Sequence, residues 1–483
     1  MPRFLPIPPA ALLLLVMLVS PLTAQNGTLN LRRQSTSQGM VSRGHYEVFE
    51  NRQARQGRTI RLNLVILHAR SRAARPDPVF VLAGGPGQAA ASLANRFSGH
   101  WIRRHRDIVL VSQRGTDLDN RLAFERPETG DNLQQYLEPF IVEEAVGRNL
   151  GRLRQSHDLR LYSTPLAMDD LNEVRQALGY QRINLMGASY GTRAALVYIR
   201  RHGDTVRTAL LDGCAPIEFR NPLHHAEGAQ RALDRILDEV ESVPAYRNSY
   251  PDLRQRFAEV LDRFSDGHTE PVWVHNGSTG RNEQLILDRE AFVDALRFQM
   301  YYLDTCRKVP WLIDQAWRGN FQPLVVDSIR QKLELSESVA IGMLMSVTAA
   351  EDVARIDPAE IDEWTGDSFM GAGRVRRQMA AARIWPHSEL PDDFGEPVSS
   401  EVPVLIFSGD LDPVTPPQWG QRVADRFPNS LHVVAPAAHG VHGSCPDRLR
   451  RQFLEAGSVK GLDTSCVTAM KLPPLYLPGS RVP

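Results

Sequence analysis

The pentapeptide Gly187-Ala188-Ser189-Tyr190-Gly191 constrains this chain more than any other stretch. An apolar run, Ile183-Asn-Leu-Met186, leads into it, and a helix-patterned run from Gly191 to Arg201 follows. A strand that turns straight into a helix at G-x-S-x-G holds its central residue in a strained conformation and lifts that side chain above the sheet. The flanking glycines are needed where neighbouring backbone leaves no space for a Cβ. By itself the pentapeptide occurs by chance in many proteins, and Ser189 is then only a serine in a tight βα turn. The surrounding pattern decides between the two.

That pattern is a succession of short buried strands and helices. Pro78-Val-Phe-Val-Leu-Ala83 and Asp107-Ile-Val-Leu-Val-Ser112 are continuous apolar runs, as in a parallel sheet covered on both faces. Thr164 to Leu178 has helical periodicity, with Pro165 in the first turn and Gly179 at the end. Val206 to Leu211 is the next strand. Strands alternating with helices at this spacing are βαβ units. Upstream, His45–Glu50 and Thr59–His68 form an antiparallel hairpin, and the polar residues 25–44 read as an irregular leader. From about Ile217 to Glu396 helical segments dominate, Pro271-Val-Trp-Val-His275 being the one strand-like piece. Buried strands resume at Val402–Phe407 and Leu431–Val434, and a helix at Asp447–Ala456 comes last. A length of 483 residues exceeds one ordinary core, so an interrupted α/β domain is expected: core over 25–216, a helical insertion over 217–396 and core again over 397–483.

Charge narrows the function classes. Lys+Arg and Asp+Glu both number 56, which gives no basic excess for nucleic acid or an anionic membrane. Residues 1–24 read as a signal peptide: Arg3, an apolar run from Ala10 to Val19, then Leu22-Thr23-Ala24 as the cleavage site. No later run is long and apolar enough for a membrane helix, so an exported protein without stable membrane insertion is expected, periplasmic or secreted by a bacterium. None of the four cysteines sits in a C-x-x-C pair, so no zinc site, and no other metal, is expected. Cys445 and Cys466 bracket one short helix and its turn and are the favoured disulfide, while Cys214 and Cys306 are left open.

A serine hydroxyl needs a base, and the base needs an orienting carboxylate. Both follow resumed strands, in the order Ser, acid, His. Asp412, in Ser408-Gly-Asp-Leu-Asp-Pro-Val-Thr-Pro416, is taken as the acid, with Asp410 its competitor. His439, in Ala437-Ala-His-Gly440, is taken as the base, ahead of His442. The tetrahedral intermediate requires backbone donors. Tyr190 N–H supplies one, and Gly85 N–H, in Gly84-Gly85-Pro86-Gly87, the other. Pro86 and the wrong glycine spacing argue against a nucleotide-phosphate loop there.

Together, Ala83-Gly-Gly-Pro-Gly87, Ser112-Gln-Arg-Gly-Thr116, Gly187–Gly191, Gly409–Pro416 and His439 resemble the proline iminopeptidase and tripeptidyl aminopeptidase family of serine peptidases. The resemblance spans about Val79 to Cys466. It implies an α/β-hydrolase fold with a helical cap, no cofactor, and cleavage of short peptides from their amino end. Ala83 and Ser112 stand where simple proline iminopeptidases carry His and Asp. The signal peptide, the long cap and the Cys-bounded C-terminal segment look more like the secreted tripeptidyl aminopeptidase branch. The resemblance also places Glu351, then Asp352, at the substrate's ammonium group; a solvated acidic helix end is the alternative. Arg114 is expected to be structural, and Phe298, Tyr301 and Tyr302, at helical spacing, to be core. An esterase with the same triad and a non-catalytic module are the competing functions. Oligomeric state is not legible.

Overall fold

The computed structural model describes residues 27–117, 120–125, 132–139 and 141–479. The expected signal peptide over 1–24 lies outside the described residues. A nine-stranded sheet forms the centre, in the order β1-β2-β3-β5-β4-β6-β7-β10-β11. The strands are β1 (Thr28–Thr36), β2 (Gly39–Phe49), β3 (Thr59–Leu67), β4 (Val79–Leu82), β5 (Ile108–Val111), β6 (Ile183–Ala188), β7 (Val206–Asp212), β10 (Val404–Gly409) and β11 (Ser430–Ala435). β1, β2 and β3 pair antiparallel, as do β3 and β5; every pairing from β5 to β11 is parallel. From β2 onward this order, with β4 and β5 exchanged and β3 antiparallel to both of its neighbours, is that of the α/β-hydrolase fold.

The apolar runs explain the centre. All four residues of β4 and of β5 are buried, since helices cover both faces of the sheet. The helices Thr164–Ala177 and Tyr190–His202 pack on it through Met168, Leu171, Ala194 and Tyr198. Register aligns the strand ends that matter: Ala188 pairs with Asp212, and Asp212 with Phe407. Ser189, Gly213 and the loop after Gly409 therefore leave the sheet side by side, at the carboxyl edge where α/β sheets gather functional groups.

Three expectations change. The segment read as an irregular leader is largely β1, paired with β2 from Thr28↔Glu47 to Thr36↔Gly39. The strand-like Pro271–His275 belongs to β8 (Glu270–Asn276), and it has a partner in β9 (Arg281–Leu287). The insertion over 217–396 is divided between two cores. Its first part, from the helix His225–Ser242 through Gln322–Ser338, has its own apolar core. The helices Ile341–Glu351 and Gly373–Ile384 instead share the core of the sheet. The C-terminal tail runs over the cap, where Leu475 is buried in the cap core and Tyr476 N donates to Arg307 O at 2.9 Å.

Candidate active site

Ser189 sits between β6 and the helix Tyr190–His202 with φ 56° and ψ −127°. A residue other than glycine at positive φ is strained, and here the strain marks the nucleophile turn. The neighbouring glycines are steric necessities. A Cβ on Gly187 would lie 2.3 Å from Gly191 O, and one on Gly191 would lie 2.2 Å from Leu82 O. Ser189 N donates to Asp212 O at 2.9 Å, which ties the turn to the end of β7.

His439 reaches the same place from the other side. Its ring lies 3.2 Å, at Cε1, from where a Cβ on Gly213 would stand. The loop behind it is fixed by the Asp212 carboxylate, which accepts from Val441 N at 3.1 Å and from Arg450 Nη2 at 2.7 Å. The backbone of His439 donates to Tyr301 O at 3.1 Å, and the Tyr301 ring faces the imidazole edge-on at 5.3 Å. The expectation that Tyr301 is core is thus replaced by contact with His439. Tyr302 is 61% exposed, so it is not core either.

Asp412 is buried, and its Oδ2 lies 2.8 Å from His439 Nδ1. Thr415, which sequence reasoning missed, donates through Oγ1 to the same Oδ2 at 2.8 Å, while Val414 N and Thr415 N donate to Oδ1 at 2.8 and 2.9 Å. The signal was available in Asp-Pro-Val-Thr, where an Asp side chain caps the turn it begins. Burial works against charge on both partners. On Asp412 the His439 charge and hydrogen bond, with the Thr415 and Val414 amides, win and hold the carboxyl below its usual range. On His439 the Asp412 charge and hydrogen bond win and hold the imidazole above its ordinary value. Asp410 points elsewhere, paired with Arg231 and Arg235 of the cap, and His442 is exposed.

The expected oxyanion donors flank Ser189. Tyr190 opens its helix, so its N–H is among the first-turn donors with no intrahelical acceptor. A Cβ on Gly84 would lie 3.4 Å from Ser189 Cβ, which brings the Gly84–Gly85 peptide alongside. Gly85 has φ 110°, a conformation suited to glycine. The loop is anchored further on, where Ala340 N donates to Gly87 O at 2.9 Å. The Ser112–Thr116 stretch lies underneath as support. Gln113 Oε1 accepts from Tyr190 OH at 3.3 Å, and Arg114 grips Asp170 at 2.7 and 3.0 Å.

The expectation for Glu351 and Asp352 is corrected. Both are buried. Glu351 accepts from Thr164 N at 2.6 Å and Thr164 Oγ1 at 2.8 Å, and Asp352 stands 2.8 Å from Arg193 Nη1. Glu351 is thus hydrogen-bonded inside the fold and Asp352 is ion-paired there, both away from solvent. Cys445 and Cys466 form a disulfide, and Cys214 and Cys306 are free and buried. Among the described residues no group of His, Cys, Asp and Glu could hold a metal, and no helix is long and apolar enough to cross a membrane.

Comparison with known proteins found partial matches. A family model described as TAP-like protein matches residues 367–466, a stretch that holds Asp412, Thr415, His439 and both bridged cysteines. A protein of Escherichia coli (strain K12) named "Putative hydrolase YuaR" is 22% identical over 405 residues, covering 79% of this chain and 77% of that protein. Among solved structures, a proline iminopeptidase of Mycobacterium smegmatis has a TM-score of 0.42 at 14% identity, covering 89% of this chain and 98% of its own. An esterase of Exiguobacterium antarcticum has a TM-score of 0.34 at 14% identity, covering 82% of this chain and 95% of its own. The chain is of the α/β-hydrolase type and carries a TAP-like segment.

Proposed function

We propose that this chain is a serine exopeptidase that cleaves short peptides near their free amino terminus through an acyl-enzyme on Ser189. The observation that carries the reading is the convergence, on the Asp212–Gly213 turn, of a strained serine and an Asp412-held imidazole. His439 Nε2 takes the proton of Ser189 Oγ as that oxygen attacks the scissile carbonyl. The imidazolium that forms keeps its Nδ1–H on Asp412. The carbonyl oxygen, now negative, takes hydrogen bonds from the main-chain N–H of Gly85 and Tyr190. Collapse expels the peptide's amine, which takes the proton from His439, and water then cleaves the ester by the same route in reverse roles.

The cap supports a short substrate. It touches the triad through Tyr301 against His439 and holds the neighbouring Asp410 through Arg231 and Arg235, so the substrate must fit beneath it. The N-terminal pattern supports action outside the cytoplasm. The internal pairing of Glu351 and Asp352 favours a second reading, an esterase, because an ester substrate needs no ammonium acceptor.

Tripeptide and amino-acid anilides compared with p-nitrophenyl esters separate the two. Turnover of free-amine anilides with none of their N-acetyl forms is the expected result. Equal turnover of both forms defeats the exopeptidase reading. Failure of a fluorophosphonate to label Ser189 defeats the hydrolase reading altogether.

A further inference from the structure

A cavity of about 90 Å³ lies where the cap meets the core, lined by Asp294, Phe298 and Lys332 from the cap and by Ile341, Arg374 and Arg377 from the two helices that share the core of the sheet. It adjoins both halves of the catalytic site. Phe298 stacks on Tyr301 at 5.4 Å, and Tyr301 faces His439. Just before Ile341, Val339 bridges to Gln88 and Ala340 bonds to Gly87 of the oxyanion loop.

Cationic side chains crowd the place. Arg297 is fully buried, its guanidinium 4.7 Å from the Phe298 ring and 5.2 Å from the Tyr301 ring. Its Nη1 donates to Tyr301 OH at 3.3 Å, but its Nε and Nη2 have no acceptor. Arg374 Nη1 meets Asp294 Oδ1 at 3.3 Å, and its Nε likewise lacks an acceptor. Asp294 stands 3.9 Å from Arg297, so one carboxylate serves two guanidiniums. Lys332 adds a third cation, its Nζ donating to Leu137 O at 2.9 Å. Glu290 does not redress the balance, because it pairs with Arg377. Burial pushes the Lys332 ammonium down to about 8 against the pull of Asp294, with Arg374 adding to the fall. Burial and then Arg297 lower Arg374 as well. Buried cations with unmet donors are costly unless an anion joins them.

We propose that this cavity receives a carboxylate of the substrate, with Arg374 of its lining as the principal counter-charge and Arg297, stacked on Phe298, adding to the positive field. The inference rests on the reading of the neighbouring site as peptide-cleaving. A guanidinium presents paired N–H groups that match a planar carboxylate, whereas an amide offers it one neutral acceptor. With about 30 Å³ per water as a yardstick, the space takes a carboxylate and an adjoining carbon or two. Such a site selects peptides short enough to place a charged group beside the triad.

The test is calorimetric titration of the Ser189→Ala protein with Ala-Ala-Ala, its C-terminal amide, and Ala-Glu-Ala-amide. The free acid is expected to bind at least about tenfold more tightly than the amide, as loss of a charge-assisted hydrogen bond would give. Arg374→Gln should abolish that ratio and leave affinity for the amide unchanged. Recovery of the tight binding by Ala-Glu-Ala-amide also supports the site and assigns it to an acidic side chain. Equal affinity for all three peptides in the protein with Arg374 intact, or no affinity for any of them, overturns the proposal, and this arm needs no variant at the cavity. Binding is read without turnover, so failure of the peptidase reading appears separately, in fluorophosphonate labelling and hydrolysis by the wild type.

Discussion

Thr415 Oγ1 donates to Asp412 Oδ2 at 2.8 Å, the oxygen that also faces His439 Nδ1. The hydroxyl lies 3.3 Å from that nitrogen too, so it fixes where the carboxylate points without touching the reacting atoms. Thr415 is a positioning residue. A hydrogen bond to a charged group contributes about 1.5–3 kcal/mol, which corresponds to roughly ten- to a hundredfold in rate if it is all expressed in the transition state. Thr415→Val is expected to lower kcat by about that factor with KM little changed, and Thr415→Ser to restore most of it. Similar kcat in the Val and Ser variants would show that the hydroxyl has no such role.

The pairing of His439 with Asp412 sets the pH dependence. The base must be neutral to accept the Ser189 proton, and Asp412 holds His439 above its ordinary value of 6.5. The acid limb of kcat/KM should therefore have an apparent pKa above 6.5. Asp412→Asn removes the charge that raises it, so the limb should move to lower pH while kcat falls by about 10⁴. A pH–rate series on both proteins checks this. A limb at the same pH in the variant would mean that another group governs it.

The glycines around the nucleophile divide into two kinds. A Cβ on Gly191 collides with Leu82 O, which is main chain and cannot move aside. A Cβ on Gly84 meets only ordinary contacts, at 3.4 Å from Ala188 O and Ser189 Cβ. Gly191→Ala should cost about 3 kcal/mol or more in urea unfolding, at the upper end for overpacking. Gly84→Ala should unfold near the wild-type midpoint yet turn over substrate more slowly, because its methyl stands against the nucleophile. Equal stability of the two variants would contradict the geometry.

These sites differ in how far the sequence revealed them. Ser189, Asp412 and His439 each follow an apolar strand, and the chain order of such strands is easily read. β1 was missed because its alternation is confined to Leu29 and Leu31, and the rest of the strand, Arg32 to Thr36, is polar and exposed. β9 was missed because Arg281-Asn-Glu-Gln284 is wholly polar. Tyr301 was misjudged because the helix ends at Gln299, so helical spacing no longer sets its direction. Glu351 was misjudged for the opposite reason. The helix Ile341–Glu351 is buried almost all round, so acids at its end are buried with it. The cation cluster unites residues 297, 332 and 374, whose separation in sequence leaves no local pattern.

Glu351 also gives a test of its internal role. Burial pushes its carboxyl from 4.5 up to about 7, against the opposing pull of Arg193. The folded protein thus retains a proton that the unfolded chain gives up, and stability from this group falls as pH rises from about 4.5 to about 7. Glu351→Gln keeps an acceptor for Thr164 N and cannot ionise. The stability of the wild type minus that of the variant should therefore decline across that interval and level off above it, with turnover of free-amine substrates within about threefold of wild type, since exposed or internally satisfied polar groups seldom act on the reaction itself. Urea unfolding at pH 5, 6, 7 and 8 supplies the first comparison, and a peptide anilide assay the second. Parallel stability curves would show that the carboxyl is ionised throughout, and a large loss of turnover confined to free-amine substrates would return Glu351 to the ammonium site.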